Sequence, residues 1–295
     1  MNFLRSLALS LLSSLLVLSL SVFGFALTLN YTLLNPNFAV YEADRLDTPS
    51  LAEEWLGEQI PPSTPYLAEV LSETITDLEP WIKDQVQAGI YTSYDYFLGR
   101  SQSLNLVISL EPVREKFKQN LRQAILDSLP PELEEASPSQ IEMYLNQAYR
   151  EIDEKVPEEF ELNESSLTPD VLAKLEQAKQ SIGYFQLGYK LLIGFIVLLI
   201  LGIVLLNRQV KGATRGIGIP FLTCGAVGYI STFIAKYFTE TRLTKLDIPT
   251  WLQTWLPQFV DDLLTPLEIF SIGLMIAGIA LIIVSFVYKP RQPSL

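Results

Sequence analysis

TPDVLAKLEQAKQSIGYFQLGYKLLIGFIVLLILGIVLLNR, residues 168–208, joins two chemistries in one unbroken run. Thr168-Pro169-Asp170 supplies an N-cap followed by proline at the first helical position, where a missing N–H does no harm. No further proline interrupts the run. Its first half is charged and amphipathic, and no charge occurs from Leu191 to Leu206. Read as one helix it is roughly 58 Å long, of which the hydrocarbon of a bilayer takes about 30 Å. The stretch therefore predicts a stalk helix that leaves a soluble domain and continues into a membrane span.

Working outward, the 295 residues carry a net charge of −12 although 49% of them are hydrophobic. The mixture resolves by position. Residues 30–188 hold 28 Asp and Glu against 11 Lys and Arg, and the long apolar runs lie outside that window. An acidic surface of this strength repels nucleic acid and anionic lipid, so nucleic acid is not expected as a partner. The single cysteine, Cys224, rules out a disulfide within one chain and a thiolate metal site. A large outer domain without disulfides is more typical of a prokaryote than of a eukaryotic secreted domain. The chain has no histidine, which removes Ser-His-Asp and Cys-His catalysis and imidazole metal ligation.

The apolar runs read as four spans. Residues 1–29 have Arg5 as their only charge and are long enough to cross a bilayer. They are taken as a first transmembrane helix, the alternative being a signal peptide with Gly24-Phe25-Ala26 as its cleavage site. Ser6, Ser10, Ser13, Ser14 and Ser21 fall largely on one side of that helix and suit contact with other spans. The stretches 189–207, 217–238 and 267–288 supply the other three, joined by a basic loop at 208–216 and an outer loop at 239–266, with a tail at 289–295. Arg5, Arg208, Lys211, Arg215, Lys289 and Arg291 then share one side with no acid among them. The positive-inside rule puts both termini in the cytoplasm and residues 30–188 outside. In the outer loop Trp251, Trp255 and Phe259 recur every four residues, the face of a helix lying in the interface and anchored by its aromatics. Thr265-Pro266-x-Glu268 reads as the start of the last span. Gly228 with Thr232, and Gly273 with Ala277, are small-residue pairs suited to close helix contact.

Within residues 30–188 the helix starts are well marked. Thr48-Pro49, Thr64-Pro65 and Ser137-Pro138 repeat the cap-then-proline signature, and Ser137 with Gln140, and Ser50 with Glu53, fit capping boxes. Pro80 predicts a break near Glu79. Val113, Phe117, Leu121, Ile125 and Leu129 form one amphipathic series, and Ile141, Leu145, Ala148 and Ile152 another. LNLVISL (104–110) reads as a short strand with FEL (160–162) as its partner. The aromatic group Trp81, Tyr91, Tyr94, Tyr96 and Phe97 is read as core rather than pocket. The acidic run from Glu151 to Glu161 lacks the spacing of a calcium loop and is read as a solvated face.

The expected fold is an all-α integral membrane protein with a mostly helical extracytoplasmic domain carrying at most a short β-hairpin. Four spans with a large outer loop after the first resemble claudin-like proteins in layout, without the paired cysteines of that loop. The three later spans are expected to hold no ionisable group in their interiors, with Lys190, Lys236 and Lys289 placed at their ends to snorkel. No phosphate loop, Gly-x-Ser-x-Gly or His-Glu-x-x-His occurs, so no catalytic residue, cofactor or metal ligand is assigned. The functional expectation is a non-enzymatic plasma-membrane protein, an accessory, scaffold or sensing subunit whose partners are the bilayer and a membrane protein or its own copies. The alternatives are a pore or transporter for lipid or hydrophobic solute, and an outer hydrolase using carboxylates.

Overall fold

The structure, a computed structural model, describes residues 2–46, 65–127, 136–207, 209–243 and 250–287. In chain order the helices are α1 (Asn2–Tyr31), α2 (Pro36–Asp44), α3 (Pro65–Asp77), α4 (Glu79–Phe97), α5 (Glu111–Asp127), α6 (Pro138–Lys155), α7 (Pro169–Leu206), α8 (Val210–Leu243) and α9 (Thr250–Val287). Strands β1 (Asn105–Ser109) and β2 (Glu159–Asn163) complete the described elements with a short 3-10 turn. Among the described residues, α1, α7, α8 and α9 are each long and apolar enough to cross a membrane. This is an all-α, multi-pass membrane protein. The chain divides into two compact units, Met1–Phe38 with Gln180–Leu295, and Ala39–Lys179.

In the membrane unit each span turns one stripe inward. Leu16 and Leu20 of α1, Ile196, Leu199 and Ile203 of α7, Ile217 and Cys224 of α8, and Leu274 of α9 form the buried centre. Opposite faces such as Leu18, Leu198 and Val287 are exposed, as befits helices whose outer solvent is lipid. Contact between spans cannot rest on the hydrophobic effect there, so close fit and hydrogen bonds decide it. Pro220, inside α8, has no N–H to offer the carbonyl of Gly216 four residues earlier. The hydroxyl of Ser13 on α1 donates to that carbonyl instead, at 3.3 Å. Ser21 stands 3.5 Å from Cys224 Sγ, so two of the α1 serines reach α8.

Two boundaries differ from expectation. The basic loop read at 208–216 is largely the first turns of α8, which begins at Val210; clustered charge reports the side of the membrane, not the backbone conformation. The outer loop read at 239–266 is likewise shortened, because α8 continues to Leu243 and α9 runs unbroken from Thr250 through Pro257 and Pro266 to Val287. As an N-cap, Thr265 would accept from N–H groups ahead of it. Its hydroxyl instead donates back to the Asp261 carbonyl at 2.8 Å, the habit of a threonine inside a helix. The proposed helix start is therefore an interior turn.

In the other unit the cap signals act locally. α6 opens on a capping box in which Gln140 Oε1 accepts from the Ser137 N–H at 2.8 Å. α3 and α7 begin at Pro65 and Pro169, and Leu78 separates α3 from α4 beside Pro80. The four-residue periods read for α5 and α6 form a common core: Leu121, Ile125 and Leu145 are buried with Val70 of α3, flanked by Phe117, Ile141, Ala148 and Ile152. Thr48, Ser50, Glu53 and Leu129 lie outside the described residues. β1 and β2 pair antiparallel, Leu106 opposite Leu162 and Ile108 opposite Phe160. They do not make a hairpin, because α5 and α6 lie between them in the chain.

Candidate functional site between the last two spans

The charged constellation of the membrane unit sits where α8 meets α9. Lys236 of α8 places its ammonium 2.7 Å from Asp261 Oδ1 and 2.6 Å from Glu268 Oε2, both on α9. Asp261 and Glu268 are seven residues apart, two turns of one helical face. The lysine side chain is 22% exposed, Glu268 30% and Asp261 57%. Lys236 is therefore not a side chain snorkelling at a helix end; it is a clamp joining two spans. With one ammonium against two carboxylates the triad carries a net negative charge, which a proton or a cation would neutralise. Ionisable groups in membrane helices are costly and mark functional positions by default.

Below the triad the two helices approach closely along small residues. A Cβ built on Gly225 would lie 2.5 Å from the Ser271 carbonyl oxygen and 2.8 Å from the Met275 nitrogen. One built on Gly278 would lie 2.6 Å from the Leu222 nitrogen and 2.8 Å from the Gly218 oxygen. Gly228 faces Ser271 Oγ, and Thr232, one turn on, is buried with its hydroxyl on the Tyr229 carbonyl. Gly273 is different: nothing lies within 4 Å of a Cβ placed there. The contact face of α9 runs through Ser271, Leu274 and Gly278. Spacing alone selected the neighbouring pair, Gly273 with the half-buried Ala277.

Trp255 and Phe259 stack with ring centroids 4.8 Å apart, and Phe259 meets Phe38 at 5.9 Å. These two rings of the anticipated interfacial anchor thus also make contacts within the chain. The Trp251 side chain lies outside the described residues. At the opposite end of the unit, Arg5 Nε donates to the Leu206 carbonyl at 2.7 Å, closing the C-terminus of α7, while Arg215 lies 4.9 Å over the Phe286 ring. Lys211 is exposed in the first turn of α8. Arg208, Lys289 and Arg291 lie outside the described residues.

In the acidic unit, charges serve structure. Asp153 on α6 accepts from Lys118 and Arg114 of α5, each at 2.5 Å, and Arg114 also pairs with Glu111 and Glu158. The hydrogen bonds from Lys118 and then Arg114 hold the Asp153 carboxyl below its ordinary range. A depressed folded-state value adds stability that is present above the unfolded value and lost as pH falls through the folded one. We expect acid unfolding of this unit to steepen below about pH 4, and Asp153→Asn to flatten that slope when melting is followed by circular dichroism against pH. Tyr96 is buried, with Lys179 of α7 at 4.1 Å over its ring, whereas Tyr91 stays on the surface. The aromatic group is only partly core. Burial, then the charges of Glu164 and Glu176, push the Tyr96 hydroxyl up. Among the described residues no three acidic or cysteine side chains converge as a metal site would require.

The triad escaped sequence reading because its partners are 25 and 32 residues from Lys236. The one available signal was that Asp261 and Glu268 share a helical face within a long apolar segment. The chain matches no protein-family model, no curated protein and no solved structure.

Proposed function

We propose that this is a non-enzymatic accessory, scaffold or sensing subunit of a prokaryotic plasma membrane, with α1 retained as a span. Both termini are cytoplasmic and the acidic unit is extracytoplasmic, where it binds a protein or a small ligand. The observation that carries the reading is α7. It is continuous over 38 residues, from the acidic sequence into the apolar one. Its exposed face includes Tyr184, Leu187, Leu191, Leu198, Leu201 and Leu205, separated by three, four, seven, three and four residues. That spacing is the seam by which helices pair, and it supports engagement of a membrane partner or a second copy. The packing of Leu16 and Leu20 into the buried centre supports retention of α1.

The test is a mild-detergent pull-down of the tagged full-length chain from its native membranes. A stoichiometric membrane protein or a homo-oligomer is expected, and Leu191→Trp with Leu198→Trp should release it. Recovery as a monomer from native membranes overturns the reading. Sidedness is read separately by labelling Ser101→Cys in intact cells with a membrane-impermeant maleimide. Labelling is expected outside, with Cys224 silent because it is buried. A second reading, transport, draws on the Lys236 triad alone and predicts solute flux in liposomes that Lys236→Met abolishes.

A further inference from the structure

At the end of the membrane unit opposite the Lys236 triad, residues of α1 and α8 line a cavity of about 370 Å³. Its walls divide by chemistry. Arg215 and the hydroxyls of Ser13, Ser14 and Thr223 contribute the polar part; Val17, Ile219 and Pro220 contribute the apolar part. The hydroxyls of Ser13 and Thr223 are already committed, to the Gly216 and Ile219 carbonyls. Ser14 is exposed on the α1 side of the opening. Arg215 rests against the Phe286 ring at 4.9 Å, a contact that orients the guanidinium without neutralising it.

Charge at this end is one-sided. Among the described residues, Arg5 and Lys211 are the other cations beside the α7–α8 turn. The described acids of the unit are Glu240, Asp261, Asp262 and Glu268, and two of them, Asp261 and Glu268, pair with Lys236, about 31 Å along α8 from Arg215 at 1.5 Å per residue. Arg215 stands about 8 Å along α8 from its start, where the basic first turns give way to the apolar run from Ile217. A guanidinium is suited to two oxygens of one phosphate, and the apolar wall one turn deeper suits a hydrocarbon chain.

We propose that this cavity is a binding site for one anionic glycerophospholipid. The phosphate takes Arg215 and the Ser14 hydroxyl, and an acyl chain lies along Val17, Ile219 and Pro220. A zwitterionic lipid fits less well, because its own cation would face Arg215 and no acid lines the cavity to receive it. The acidic unit repels anionic lipid; this end of the spans attracts it.

The test uses the delipidated full-length protein in neutral detergent, with native mass spectrometry and thermal shift as readouts. The probes are phosphatidylglycerol, phosphatidylcholine and inorganic phosphate. One retained phosphatidylglycerol is expected, bound about tenfold tighter than phosphatidylcholine and accompanied by a rise in melting temperature. Arg215→Gln should weaken it about tenfold, the scale of one charge-assisted hydrogen bond. Arg215→Lys should fall between the two, and Lys211→Gln should change it little. Should Arg215→Gln fail to fold, Ile219→Trp blocks the groove from its apolar side with Arg215 intact, and lipid retention should again be lost. Equal retention of both lipids overturns the proposal, as does phosphatidylglycerol binding indifferent to both Arg215→Gln and Ile219→Trp. Displacement of the lipid by millimolar inorganic phosphate would make this a free-phosphate site and overturn it too.

Discussion

Replacing Lys236 by methionine should destabilise the membrane unit by about 2–3 kcal/mol, a little under the loss typical of breaking a fully buried pair. Methionine keeps the length and apolar stem of lysine, so packing is nearly conserved and the change is electrostatic. Asp261 and Glu268 would be left on one face of α9 with no ammonium between them, Glu268 in the apolar segment and only 30% exposed. Asp261 is 57% exposed and water relieves part of its cost, which places the figure below that of a sealed pair. The readout is unfolding of the detergent-solubilised protein on titration with a denaturing detergent. The triple replacement Lys236→Met, Asp261→Asn, Glu268→Gln should recover most of the loss, since no charge is then stranded. A triple variant as unstable as the single one would refute an electrostatic clamp and make Lys236 a packing residue.

Sequence and structure agree most closely where a single segment carries the information. The spans are legible because about twenty apolar residues in a row can hardly avoid a bilayer. The start of α6 is legible because Ser137, Pro138 and Gln140 form a closed local motif. Thr265-Pro266-x-Glu268 has the same composition and a different outcome. The apolar period of Trp251, Trp255, Phe259 and Leu263 ahead of it already carries a helix into the proline. Thr265 turns its hydroxyl back to Asp261 rather than capping a new turn. What precedes a cap thus decides whether it caps. The interhelical facts were out of reach for another reason. Composition says that α8 and α9 are small-residue helices, but their rotation about each other follows from side-chain fit, which no period encodes. Lys236 meeting Asp261 and Glu268, and Ser271 rather than Gly273 meeting α8, are both consequences of that one rotation.

The same rotation makes glycine substitutions discriminating. Gly278→Ala should cost about 2–3 kcal/mol, the upper range for inserting a methyl group into a tight contact. All three atoms nearest its new Cβ belong to the backbone of α8, at 2.6, 2.8 and 3.0 Å, so no side chain can swing aside and the helices must part. Gly225→Ala should lose somewhat less, because one of its close neighbours is the flexible Met275 side chain at 2.8 Å. Alanine is the better helix former by about 1 kcal/mol, so an observed loss understates the steric term. Gly273→Ala and Gly194→Ala meet nothing within 4 Å and should be neutral or stabilising by up to about 1 kcal/mol. The four single variants, unfolded side by side in denaturing detergent, compare positions of one residue type in one membrane unit. Equal behaviour of Gly278→Ala and Gly273→Ala would mean that α8 and α9 do not meet along this face. Loss at Gly273 only in preparations where a second copy or partner copurifies would show that the face left open within one chain is closed by another.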